Sequence, residues 1–240
     1  MSTGRAGRGL GVERAGRMGG IAFFDLDRTL LAVNSASLWV RHELSQGHIT
    51  RLQALRASAW LARYHLGFVS MREALVQAVS HLKGTSEALL RERTTRFYTA
   101  QVRSQYRPGA LQALEAHRAA GDRLVLLTSS SGYMSELVLR ELSLEAALCN
   151  RFEVDGEGVC TGRPLGEVCF GEGKLVLARA YAEQVHTPLS ACTFYTDSYS
   201  DLPVMQVVGH PVAVHPDGRL RREASRRGWP VVDWGVPSVP

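Results

Sequence analysis

Asp25 and Asp27 are the first pair in the chain whose types and spacing suit chemistry. They close the apolar run Ile21-Ala22-Phe23-Phe24. The run has strand character, and alternation puts both carboxylates on the same side of an extended segment. In an open α/β sheet, ligands collect beyond the carboxyl ends of the strands. Two carboxylates at that place suit a hard divalent cation, or a nucleophile with an acid/base partner. An exposed Asp-rich turn after a buried strand has the same local pattern. The later strands decide between these readings.

Two later apolar runs also end in polar groups. Residues 123–127 read as a buried strand followed by Thr128-Ser129-Ser130-Ser131-Gly132, and residues 192–195 as another that ends in Thr196-Asp197-Ser198-Tyr199-Ser200-Asp201. Between them Lys174 opens a helix at about 174–186, after Gly171-Glu172-Gly173. Taken singly, Thr128 is a helix cap, Lys174 a surface lysine and Asp201 a cap. Convergence on one sheet edge fits phosphoryl transfer instead. A carboxylate nucleophile can carry a phosphoryl group. A dianionic phosphate facing several carboxylates needs a cation, and Mg2+ takes oxygen ligands and water. A hydroxyl, a lysine and helix-start N–H groups can hold the other phosphate oxygens.

The elements that must position these groups alternate. A helix at 110–120 ends at Gly121, the strand at 123–127 follows, then a helix at about 133–141 and a short strand at 146–149. Residues 152–162 read as a β-hairpin turning at Asp155-Gly156 or Glu157-Gly158. A short helix after Asp201, a strand at 212–214, a helix near 218–227 and a strand at 231–232 complete the series. This βαβ rhythm predicts a Rossmann-like parallel sheet flanked by helices. From Asn34-Ser35, a helix start, to about residue 105 the apolar spacing is helical. Leu38, Trp39 and Leu44 are followed by Leu52, Leu55, Ala59 and Leu66, then by Met71 to Val79, then by Leu89 to Val102. Some four helices are therefore expected as an insertion over 35–105, with the core formed by 20–34 and 106–240.

The chain has 240 residues and a net charge of +5. Ten Lys/Arg stand against four Glu in residues 35–105, so a basic middle faces a more acidic remainder. Such asymmetry favours anionic ligands, although most of these charges read as solvated helix faces. Cys149, Cys160, Cys169 and Cys192 form no metal-binding spacing. They are expected as plain thiols in a cytoplasmic protein. No apolar stretch is long enough to span a membrane, and the start lacks the apolar core of a secretory signal. Residues 1–19, rich in Gly and Arg, are expected to be a disordered basic leader, with Met18 an alternative start.

The ordered set Asp25-Leu26-Asp27-Arg28-Thr29, Thr128, Lys174 and Asp197-x-x-x-Asp201 resembles the haloacid dehalogenase-like (HAD) hydrolase superfamily. The insertion resembles the C1-type cap of its phosphoserine phosphatase-like branch, and Gly171-Glu172-Gly173-Lys174 with Tyr195 to Pro203 resembles subfamily IB. The resemblance implies a Mg2+-dependent phosphatase. In it Asp25 is the nucleophile and a metal ligand. Asp27 is the acid and base, and its carbonyl is a metal ligand. Thr29 steadies the loop by its hydroxyl and, with Thr128, Ser129 and Lys174, serves phosphate or substrate. Asp197 is a metal ligand, and Asp201 supports the metal shell and Lys174. Arg28 stands where many members have Gly, Ser198 where Gly is common, and Ser200 where Asn is common.

The expected partner is a small phosphorylated metabolite, with neither nucleic acid nor membrane required. Phosphoserine, a phosphorylated amino alcohol such as histidinol phosphate, and a lipid phosphate are the candidate substrates. By the same resemblance Glu43 and Arg72 are candidates to recognise an amine and a carboxylate, although each also reads as a solvated helix charge. His42, His48, His65 and His81 offer a metal site or, more simply, surface histidines. The same residues also suit a phosphotransferase, or a non-catalytic phosphate-ligand binding protein.

Overall fold

The computed structural model describes residues 19–52, 55 and 71–237. Residues 1–18 of the expected leader, and Ala59, Trp60, His65 and Leu66, lie outside them. Seven strands form one sheet in the order β4-β3-β2-β1-β5-β6-β7. They are β1 Ile21–Phe24, β2 Arg123–Ser131, β3 Ala146–Val154, β4 Cys160–Leu165, β5 Thr193–Thr196, β6 His210–Val214 and β7 Val231–Val232. All neighbours are parallel except β3 and β4. The first strand is thus central, and the chain builds outward from it on one side and then on the other.

A central parallel strand is buried on both faces and so reads as continuous apolar sequence. Phe24 joins Ala22, Leu124 and Leu126 in one core layer. Ile21 and Phe23 join Val125, Leu127 and Phe194 in the other. The helices α4 Pro108–Ala120, α5 Gly132–Glu141, α6 Glu172–Gln184, α7 Leu202–Met205 and α8 Gly218–Arg227 belong to this sheet-and-helix core. Pro108 opens α4, and Gly121 closes it in the left-handed region.

Between β1 and β2 the described residues hold α1 Ser35–Ser45, α2 Met71–Ser80 and α3 Glu87–Phe97. Asn34 caps α1 by accepting from Ser37 N at 2.9 Å. The β3–β4 hairpin turns through residues 155–159. Asp155 Oδ1 accepts from Glu157 N and Val159 N, and Gly158 has φ +78°. The outer strand also bonds the insertion: Cys160 N donates to Thr85 O at 2.9 Å, and Gly84 N to Cys160 O at 3.0 Å.

Two boundaries differ from expectation. The short strand at 146–149 and the first hairpin arm are one strand, β3, because its first half pairs with β2 and its second half with β4. Strand β2 runs through the serines to Ser131, since Ser131 regains pairing with Asn150 after an irregularity.

Candidate active site

β1, β2 and β5 are adjacent, with Phe24 level with both Leu126 and Tyr195. Parallel register therefore carries the chain beyond each strand to the same edge, where Asp25, Thr128 and Asp197 lie. This edge is where the chain order reverses about β1, a switch point of the kind that gathers ligands. Asp25 N still bonds Tyr195 O at 3.0 Å.

After Asp25 the backbone makes one wide turn. Leu30 N donates to Asp25 O at 3.3 Å, and Leu31 N to Leu26 O at 2.9 Å. Inside the turn Asp27 is extended, and Arg28 is left-handed at φ +59° with its side chain exposed. Asp27 Oδ1 accepts from Ser35 N at 2.8 Å, the first residue of α1. A helix N-terminus favours such a negative partner. Burial nevertheless pushes the Asp27 carboxyl above its ordinary range, against the hydrogen bond from Ser35.

Lys174 is buried and joins two carboxylates. Its Nζ donates to Asp25 Oδ1 at 2.8 Å and to Asp201 Oδ2 at 2.7 Å. Thr196 Oγ1 donates to Asp201 Oδ2 at 2.6 Å. Asp201 precedes α7, but its side chain makes no cap hydrogen bond. Its Oδ2 accepts from Lys174 and Thr196 instead. Gly173 permits this placement of Lys174. A Cβ on it would lie 1.9 Å from Val168 O, so any side chain would push α6 away from the sheet edge.

Four carboxylates face one lysine, and the imbalance shows in their protonation. Burial first, relieved in part by Lys174 and worsened by Asp201, pushes Asp25 up to about 7. Burial, then the charges of Asp25 and Asp201, pushes Asp197 up to about 8. Burial opposes the Lys174 charge more than any single neighbour favours it, but Asp201 and Asp25 together outweigh it and hold Lys174 above its ordinary range. Asp201 Oδ1 is buried and without a hydrogen bond to the described residues. Excess buried carboxylate and an orphaned oxygen are a donor set that fits a hard cation. Among the described residues no three His, Cys, Asp or Glu side chains form a closed metal cage. His42, His48 and His81 accordingly form no such group with described residues.

The remaining expected residues fall differently. Thr128 is buried at the end of the paired part of β2, where its Oγ1 accepts from Ser130 N at 3.1 Å. Ser129 is exposed, and its carbonyl accepts from Asn150 Nδ2 at 2.7 Å. Thr29 is fully buried, but its hydroxyl makes no hydrogen bond to a described residue. The turn is held by backbone bonds rather than by that hydroxyl. Ser198 keeps φ at −108°, so its side chain is accommodated without strain. Glu43 is neither solvated nor turned to a ligand: it is 3% exposed and paired with Arg93 and His48. The side chain of Arg72 lies outside the described residues.

Three positioning residues escape sequence reasoning. Thr196 has the signal of a hydroxyl just before Asp197. Asn150 bonds both Ser129 O and Cys169 N, tying the β2 end to the approach to α6. Asp217 caps α8, accepts from Tyr199 N, and donates its own N–H to Asp197 O at 2.8 Å.

A buried Asp–Lys–Asp chain at the switch point of a parallel sheet, short of positive charge, defines a phosphate-handling hydrolase of the α/β class. The chain belongs to the haloacid dehalogenase-like hydrolases, whose family model matches residues 22–206. It is 31% identical over 231 residues to the phosphoserine phosphatase SerB1 of Mycobacterium tuberculosis, covering 91% of this chain and 75% of that one. It is 28% identical to the histidinol-phosphatase of Neisseria meningitidis, covering 90% of this chain and all of that one. A solved structure of a Bordetella pertussis protein of unknown function superposes with a TM-score of 0.84 at 27% identity, over 91% of this chain and 100% of that one. The protein is a phosphoric monoester hydrolase of this family. Among the described residues no helix is long and apolar enough to cross a membrane.

Proposed function

We propose that this phosphatase is Mg2+-dependent and hydrolyses a small phosphomonoester through an aspartyl-phosphate on Asp25. The observation that carries the reading is Lys174, buried between Asp25 and Asp201 at an edge with surplus carboxylate. With Oδ1 committed to Lys174, Oδ2 of Asp25 attacks phosphorus, and the bond from phosphorus to the leaving oxygen breaks. Asp27 gives its proton to that oxygen. Burial, which raises its affinity for a proton, suits it to the task. Asp27 then takes a proton from the water that attacks phosphorus, which releases phosphate and restores Asp25. Thr128, Ser129 and Lys174 hold phosphate oxygens. Asp25, the Asp27 carbonyl and Asp197 would hold Mg2+, with Asp201 in support. The cation supplies the positive charge that lets a phosphate dianion approach four carboxylates.

The helices of residues 35–105 act as a cap over this edge, and the core is 20–34 with 106–240. The names of the relatives favour phosphoserine or a phosphorylated amino alcohol such as histidinol phosphate as substrate. The pairing of Glu43 with Arg93 and His48 argues against a role in reading the substrate amine. The four buried cysteine thiols suit a reducing compartment and support a cytoplasmic location. The test is phosphate release from phosphoserine, histidinol phosphate, sugar phosphates and nucleotides, with Mg2+ and with EDTA. Metal-dependent release is expected from one or both of the first two. Release that persists in EDTA would reject the metal requirement.

A further inference from the structure

The chain leaves the sheet after β1 and returns just before α4, and these two crossings touch. Ala32 N donates to Gln105 O at 2.8 Å, Arg107 N donates to Leu30 O at 2.9 Å, and Leu31 pairs antiparallel with Tyr106. One side chain of the returning segment then reaches back. Arg107 is 6% exposed, an unusual setting for a guanidinium. Its Nε donates to Arg28 O at 3.3 Å, and its Nη1 donates to Gly235 O.

Both acceptors have a bearing on the site. Arg28 has φ +59°, a conformation that costs a residue with a Cβ, and it directly follows Asp27. Gly235 belongs to a tail that is itself fixed. Trp234 O accepts from Gly109 N at 3.0 Å, and Trp234 N donates to His215 Nε2 at 3.0 Å. A Cβ on Gly109 would lie 2.6 Å from the Trp234 ring. The guanidinium therefore ties the strained turn to an anchored segment. Arginine presents several donors in a rigid fork, whereas lysine presents one compact head.

We propose that Arg107 is a positioning residue for the Asp25–Asp27 turn, clamping the left-handed Arg28 carbonyl to the carboxyl-terminal segment so that Asp27 stays in place beside Asp25. The catalytic part of this inference rests on the acid/base reading of Asp27. The structural part does not.

The experiment uses the full chain with Arg107→Met, Arg107→Lys, Arg28→Gly and the double variant Arg28→Gly/Arg107→Met. Hydrolysis of p-nitrophenyl phosphate with Mg2+ gives kcat and KM. Hydrogen exchange of peptides covering residues 26–31 reads the turn without any need for turnover. Both Arg107 variants should lower kcat about tenfold with little change in KM. The amides of Arg28, Leu30 and Leu31 should exchange about tenfold faster, while those of β2 hold their rate. In the Arg28→Gly background the Arg107→Met loss should shrink to about threefold or less, because Gly adopts positive φ unaided.

Normal kcat and exchange in Arg107→Lys would overturn the clamp and leave charge alone as the role of Arg107. Equal losses in both Arg28 backgrounds would also overturn it. If the wild type releases no phosphate from any substrate, the catalytic reading fails, and the exchange measurement alone decides whether Arg107 holds the turn.

Discussion

Two clusters among the described residues bury carboxylate charge, and they do so on opposite terms. In the insertion, Glu43 on α1 is almost fully buried and is met by Arg93 and by His48 Nδ1 at 3.0 Å. Each negative charge there has a cation. At the sheet edge Asp25 and Asp201 share Lys174 with Asp27 and Asp197 close by, and Asp201 keeps an oxygen with no hydrogen bond to the described residues. The first cluster is closed and holds helices together. The second leaves buried carboxylate in excess. A balanced buried pair is a structural device, whereas an unbalanced one marks a candidate site for a cation.

The widest separation between the two is expected from single carboxylates. Asp25→Asn should abolish turnover, a loss of at least about a thousandfold or some 4 kcal/mol of transition-state stabilisation, while circular dichroism stays native. A near-normal rate would dismiss Asp25 as nucleophile. Glu43→Gln should do the reverse and lower stability by about 2 kcal/mol, since it leaves Arg93 without its buried partner. Activity per folded molecule should persist, as denaturant titration beside an assay would show; lost activity at unchanged stability would move Glu43 into the site. Thr196→Val removes the hydroxyl that donates to Asp201 Oδ2. It should cost about tenfold in kcat, about 1.4 kcal/mol, with KM little altered. The smallest effect belongs to an exposed pair. Glu136→Gln, which frees Arg91 from one of its two carboxylates, should change stability by less than about 1 kcal/mol.

pH sharpens the same contrast. Asp25 at about 7 and Asp197 at about 8 are raised by burial, so the folded protein holds protons that the unfolded chain releases above its ordinary carboxylate range. Their linkage makes the metal-free protein gain stability as pH falls from 8 to 6, and lose it as pH rises through those values. Mg2+ must displace the same protons, so its affinity should climb over that window. Calorimetry in buffers of different ionisation enthalpy would detect the released protons. Mg2+ affinity that is flat with pH would show that the carboxylates are already ionised.

The polar groups at the sheet edge were legible because apolar runs and helix starts flank them. Asp25, Thr128 and Asp197 follow such runs closely, Lys174 lies in the first turn of α6 and Asp201 directly precedes α7, and the alternation of elements brought the three runs to one edge. What escaped depends on contacts between distant segments. Asn150 falls between the expected strand at 146–149 and the hairpin at 152–162, yet it joins the end of β2 to the loop before α6. Glu43 looked like one solvated helix charge among many, because the sequence does not reveal that Arg93 lies opposite. Thr29 shows the converse. Its place beside Asp27 suggested a hydroxyl that steadies the turn, but backbone bonds and the Arg28–Val33 contact hold it.

The position of β1 has a consequence for the birth of the enzyme. The strand that carries Asp25 is made first, yet its two neighbours begin at Arg123 and Thr193. Closing loops of that length is entropically costly, and pairing of such separation is slow. During synthesis a ribosome-bound fragment ending before β5 has Asp25 but neither Asp197 nor Asp201. On the proposed mechanism such a fragment is inert, so phosphatase activity is withheld until most of the sheet has left the ribosome.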